Sequence, residues 1–196
     1  MKRLIILCVS FLILAYGVSL GVQSAEAATY VSLLTSSNNE AAWLECVYSL
    51  EADSYWHYDY TIHLQDFGSY VLPGTYTYYD YLATLKVMNA SGGPVEMVQE
   101  PSSPDWDFVQ PTDHAYYKWT AASGSDYFNQ SAGSLNAMEV RSIYEPVLVD
   151  AAVWDGGLPT SAGQTMGPAP EPASIALLGF GLIGLAGGVI RKRFKA

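Results

Sequence analysis

The sequence predicts a mainly β protein, an antiparallel β-sandwich of jelly-roll or immunoglobulin-like type, carried between two membrane-directed ends. Three observations predict it. Tyrosine is abundant, with 15 in the chain, and Thr and Val are frequent; aromatic and β-branched side chains suit a pleated sheet. Gly, Pro, Asn and Asp recur between short runs, where turns need them. Helical apolar stretches occur only at the two ends.

Tyr30 to Thr35 is a short first strand, closed by the polar loop Ser36-Ser37-Asn38-Asn39. Trp43 to Glu51 is a second, on which Cys46 shares a face with Leu44, Tyr48 and Leu50 and is expected to be buried. The clearest strand is Tyr55 to Leu64: Trp56, Tyr58, Tyr60, Ile62 and Leu64 point one way, Tyr55, His57, Asp59, Thr61 and His63 the other. Pro73-Gly74 marks a turn, and Tyr76 to Met88 resumes with Tyr81, Ala83, Leu85 and Val87 on one face. After a loop from Asn89 to Pro94 come the short run Val95 to Val98, then Tyr116 to Ala121, Leu135 to Tyr144 and Val147 to Trp154. Seven to nine short strands separated by turn signals favour a sandwich over 28–154. Residues 155–169 are Gly, Pro, Ser and Thr with little to pack, and read as a flexible linker.

Charge excludes one function class. Outside the two ends only Lys86, Lys118 and Arg141 stand against seventeen Asp and Glu, a net charge near −14 for that region. Such a surface repels nucleic acid, so no nucleic-acid partner is expected. Cys46 is the one cysteine beyond Cys8 of the N-terminal apolar run, so the exported region can form no internal disulfide.

No catalytic constellation emerges, and the chain reads as non-enzymatic. Asp113-His114 imitates part of a hydrolytic triad, but no Gly-x-Ser-x-Gly elbow accompanies it. His57, Asp59 and His63 share a face, yet the two histidines lie roughly 20 Å apart along a strand, too far to ligate one ion. They read as solvent-facing, and neither metal nor cofactor is expected. Asp105-Trp106-Asp107 lacks the glycine and downstream glutamate of a calcium loop. Aromatic rings are the better lead, because flat Tyr and Trp faces stack on sugars. Tyr76, Tyr78, Trp106 and Tyr117 form the candidate glycan platform, with Tyr55 and Tyr79 as further exposed candidates; Trp56, Tyr58, Tyr60 and Trp119 fit the core.

The two ends speak of export. Lys2 and Arg3 precede an apolar run from Leu4 to Val22, and Ala25-Glu26-Ala27 offers a small-x-small cleavage site. Residues 1–27 therefore read as a signal peptide cut by signal peptidase after Ala27. At the other end stands Pro170-Glu171-Pro172, then an uncharged span over 173–190 bearing Ala173, Ile175, Leu177, Leu178, Phe180, Leu182, Ile183, Leu185, Val189 and Ile190. As a helix this span would measure about 27 Å, close to the thickness of a bilayer's hydrocarbon core. The basic tail 191–196, with Arg191, Lys192, Arg193 and Lys195, would stay cytoplasmic.

Triplet, span and basic end in that order resemble the PEP-CTERM sorting signal, over residues 170–195. The resemblance implies an exosortase as partner, transient anchoring in the lipid bilayer through the tail, and final delivery to the cell surface or outside. It also implies a role in an exopolysaccharide or biofilm matrix. Trp106, Tyr116-Tyr117-Lys118-Trp119-Thr120-Ala121 and Ser131-Ala132-Gly133-Ser134-Leu135 look like the β-sandwich region often carried by such proteins. A carbohydrate-binding module using exposed Tyr and Trp is the alternative reading.

Overall fold

The computed structural model describes residues 26–156 and 159–169. Most of the predicted signal peptide, the triplet, the span and the basic tail lie outside them. Among the described residues no helix is long and apolar enough to cross a membrane.

The described chain is mainly antiparallel β, as the turn spacing predicts. Its strands are β1 (Ala28–Thr35), β2 (Glu40–Leu50), β3 (Trp56–His63), β4 (Thr77–Tyr78), β5 (Tyr81–Leu82), β6 (Thr84–Met88) and β7 (Glu96–Gln99). They continue with β8 (Trp106–Val109), β9 (Tyr116–Ala121), β10 (Phe128–Asn129), β11 (Ser134–Ser142), β12 (Pro146–Trp154) and β13 (Pro159–Pro168). Ten of them form one sheet in the order β7-β11-β3-β2-β1-β13-β12-β6-β9-β8, with β4 paired in parallel to β2 and β10 paired separately to β5.

The expected two-sheet sandwich is therefore corrected to a single sheet that curls until it is nearly closed. Its middle is thin: β1 and β13 share only the register pair Thr35↔Ala162. The five strands on either side of that corner fold over and pack face to face. Tyr60 of β3 meets Tyr117 and Trp119 of β9 across the core, with ring centroids 6.2 and 5.7 Å apart. At the opposite seam the side-chain amide of Gln110 lies against the backbone of Val95, and with the amide turned so that its nitrogen faces the carbonyl the two contacts are 3.3 and 3.2 Å. Closure of this kind protects sheet edges that would otherwise offer unpaired backbone groups.

Alternation is what fills the interior. On β3, Tyr58, Tyr60 and Ile62 are buried, followed by Leu64, and on β2 the matching residues are Ala42, Leu44 and Cys46. Leu85 and Val87 of β6, Tyr117 and Trp119 of β9, and Val149, Ala151 and Val153 of β12 line the facing half. Each buried aliphatic side chain of this kind contributes about 1.5–3 kcal/mol relative to exposure.

Candidate functional site

The sorting segment was expected to hang from a flexible linker, and the structure overturns that. Residues Pro159–Pro168 are β13, a strand inside the sheet that pairs along its length with β12, from Trp154↔Pro159 to Pro146↔Pro168. Its glycines are what let it in. A Cβ on Gly163 would stand 2.7 Å from Leu34 Cδ2, and one on Gly167 2.7 Å from Val149 Cγ2. Small residues that resemble linker composition here permit close approach of neighbouring strands.

Buried polar groups hold the strand from the far side of the core. The Met166 carbonyl accepts the Tyr60 phenol at 2.7 Å and faces Cys46 Sγ at 3.6 Å. Tyr117 in turn donates to Tyr60 at 2.7 Å, because the Tyr60 proton is already committed to Met166. Ser161 is hydrogen-bonded to Tyr79. Burial pushes the Cys46 thiol and the Tyr60 and Tyr117 phenols well above their usual ranges, so all three stay neutral.

The exit from the domain is equally fixed. The Pro168 carbonyl accepts the Ser91 amide at 3.1 Å, and the Ala169 amide donates to the Glu145 carbonyl at 2.9 Å. Asn89 braces this clamp: its Nδ2 donates to the Gly93 carbonyl at 2.6 Å and its Oδ1 accepts from Ser91 Oγ at 2.6 Å. The residue after Ala169 is Pro170. The sorting triplet thus follows the folded sheet with no spacer between them.

The candidate glycan platform does not assemble. Trp106 and Tyr117 are fully buried, and so is Tyr79; Trp106 Nε1 donates to the Asp126 carbonyl at 2.8 Å inside the fold. Tyr76 and Tyr78 are half-buried, and Tyr78 donates to Asp66. Other rings reach the surface instead. Trp43, Phe67 and Tyr70 form one group, with Trp43–Tyr70 centroids 5.4 Å apart and Tyr70 38% exposed. Tyr81 and Tyr127 stack at 5.5 Å.

The histidines are also re-placed. His63 is buried rather than solvent-facing, stacked on Phe67 at 3.6 Å with Nε2 3.0 Å from Glu45. His57 sits between two carboxylates, with Nδ1 2.7 Å from Glu139 and Nε2 3.3 Å from Asp53. Burial pulls its pKa down, but the two carboxylates outweigh that and leave it raised, favouring the imidazolium. Arg141 joins the group, bridging Asp53 at 3.0 Å and Glu96 at 2.7 Å. These pairs bind the β2–β3 turn to β11 and β7, a structural task. Asp113 accepts the Ala115 amide at 3.1 Å in the turn that positions His114, so that pair serves the backbone.

No curated protein and no solved structure matches the chain in these comparisons. A family model described as the PEP-CTERM protein-sorting motif matches residues 168–193, covering the triplet, the apolar span and the first basic residues. That motif implies export, processing by an exosortase and sorting to the cell surface through a membrane-anchored C-terminal segment. The chain therefore carries a PEP-CTERM sorting motif, joined without a spacer to the last strand of an acidic β domain.

Proposed function

We propose that this is a non-enzymatic envelope or matrix protein, delivered by exosortase recognition of Pro170-Glu171-Pro172 and acting at the surface among exopolysaccharide. One observation carries the reading: the sorting motif at residues 168–193. The physical rationale lies in the triplet. Each proline fixes φ and lacks an amide donor, so the segment resists joining a helix and presents an extended stretch at the membrane boundary. Glu171 adds a single charge for recognition.

Intact mass of envelope and secreted fractions tests it, comparing Glu171→Ala with the native chain. The native protein is expected to lack residues 175–196 while the variant retains them in the membrane. If both keep the tail, the protein is a permanent membrane resident.

A carbohydrate-binding role for the domain is the second reading, and the surface rings favour it. Tyr70 and Tyr81 are exposed and each stacks on another aromatic, which holds the rings rigid for contact with a sugar face.

A further inference from the structure

The exported region has three basic residues, and the fold places two of them opposite each other. Lys86 on β6 and Lys118 on β9 are register partners. Both point outward, since Leu85, Val87, Tyr117 and Trp119 take the inward positions. Like charges directly opposite on neighbouring strands destabilise a sheet. Two steps along, the same strands pair neutral hydroxyls, Thr84 Oγ1 to Thr120 Oγ1 at 2.8 Å. Among the described residues, the basic side chains within 4.0 Å of a carboxylate oxygen are His57, His63 and Arg141, never these lysines. Lys86 Nζ rests instead 4.0 Å from the centre of the Tyr116 ring.

The pair stands in a recess of about 380 Å³, walled by Tyr116, Tyr127 and Trp154. On the other side of Lys86 and Trp154 a second groove, about 660 Å³, runs over Met88, Ala152, Ala162 and Gln164. The two recesses adjoin at Lys86 and Trp154, which line both, so they lie in a row across β9, β6, β12 and β13. Small side chains floor the larger recess, and rings with two ammonium groups flank the smaller.

We propose that this outward face binds an acidic polysaccharide, with Lys86 and Lys118 taking the carboxylate of a uronic acid unit and Trp154 and Tyr127 contacting sugar faces. The inference rests on the carbohydrate-binding reading above and names its ligand chemistry. Two long lysine side chains on register-paired positions of one face can both swing to a single carboxylate, Lys86 from its place over the Tyr116 ring, and that charge relieves their mutual repulsion. Asp150 lines the second groove, so the carboxylate is directed to the Lys118 side and neutral sugar to the Asp150 side. The surrounding carboxylates oppose a dense polyanion such as nucleic acid. A polyuronate carries at most one charge per sugar and offers apolar ring faces between them, which this mixed face accommodates.

Affinity electrophoresis or retention of the full-length chain, held in non-ionic detergent, tests this with polygalacturonate, the same polymer after carboxyl reduction, and dextran sulfate. The expected result is retention on polygalacturonate, at least tenfold weaker binding to the reduced polymer, and a tenfold or greater loss in Lys86→Gln/Lys118→Gln. A native-like circular dichroism spectrum and a cooperative melt show that the double variant is folded. Unchanged binding by a folded Lys86→Gln/Lys118→Gln protein would overturn the site, as would equal or tighter retention on dextran sulfate. Equal binding to native and reduced polymers, weakened in Trp154→Ala, would overturn the acidic specificity while sparing the carbohydrate reading. Binding to neither polymer would overturn both.

Discussion

The phenol of Tyr60 on β3 donates to the carbonyl oxygen of Met166 on β13, 2.7 Å away and across the core. The two residues are 106 positions apart in sequence. Near this point β13 has little help from β1, whose pairing with it is confined to Thr35↔Ala162, so a side chain supplies the hydrogen bond that a neighbouring strand would otherwise make. The last strand before the sorting motif is thereby fastened to the middle of the first half of the sheet.

Tyr60→Phe should therefore destabilise the domain by about 1–3 kcal/mol, because it leaves the Met166 carbonyl only the weak Cys46 thiol as a donor and removes the acceptor of Tyr117. Urea denaturation measures it. In Tyr60→Phe/Tyr117→Phe the losses should sum to less than the two single effects, since both report on one chain of hydrogen bonds. Additive losses would mean that the phenols act independently.

Glycines on β13 should prove intolerant in a way that linker glycines are not. Gly163→Ala and Gly167→Ala place a methyl 2.7 Å from Leu34 and Val149, an overpacking expected to cost about 1–3 kcal/mol. Gly74→Ala meets nothing within 4 Å and should stay within about 0.5 kcal/mol of the native protein. Thermal melts of the three decide the matter; indifference at all three positions would return 155–169 to the status of a spacer.

His57 should make stability fall as the solution becomes alkaline. Its folded pKa is raised by Glu139 and Asp53 against the opposing effect of burial, so its contribution is fully present below the unfolded value, about 6.5. It is lost as pH climbs through the folded value. Asp53, whose carboxyl is lowered by the Tyr55 amide and then by His57 and Arg141, contributes in the opposite sense: its share is present above the ordinary Asp range and lost as pH falls through the depressed value. Repulsion among the other carboxylates also changes with pH, so the comparison must be with His57→Asn. The native protein should lose its advantage over that variant across the window that opens at about pH 6.5 and runs upward through the raised folded value. A constant difference across this window would show that His57 titrates no differently in the two states.

Much of the fold was legible where one strand carried its own signal. The alternation of Tyr58, Tyr60 and Ile62 against His57 and Asp59 reports which side meets the core, because side chains switch faces at every residue. The strand Tyr116–Ala121 appears with the bounds its sequence suggests, and Cys46 is buried as its neighbours on β2 imply. Trp106 was harder to read. It lies between Asp105 and Asp107, a pattern equally suited to an exposed ring in an acidic loop, and only the Asp126 carbonyl and the enclosing core show that it faces inward.

By itself the sequence determined the export address, the acidic charge and the β character, because each depends on composition or on a contiguous run of residues. The tertiary structure alone decided that one sheet curls nearly closed, that Tyr117 is core while Tyr81 is surface, that β13 is structure and not tether, and that Lys86 faces Lys118. Those outcomes depend on which strands become neighbours and in what register. Local residues state that a segment can pair; only the whole chain, burying its aromatic faces at once, determines the partner.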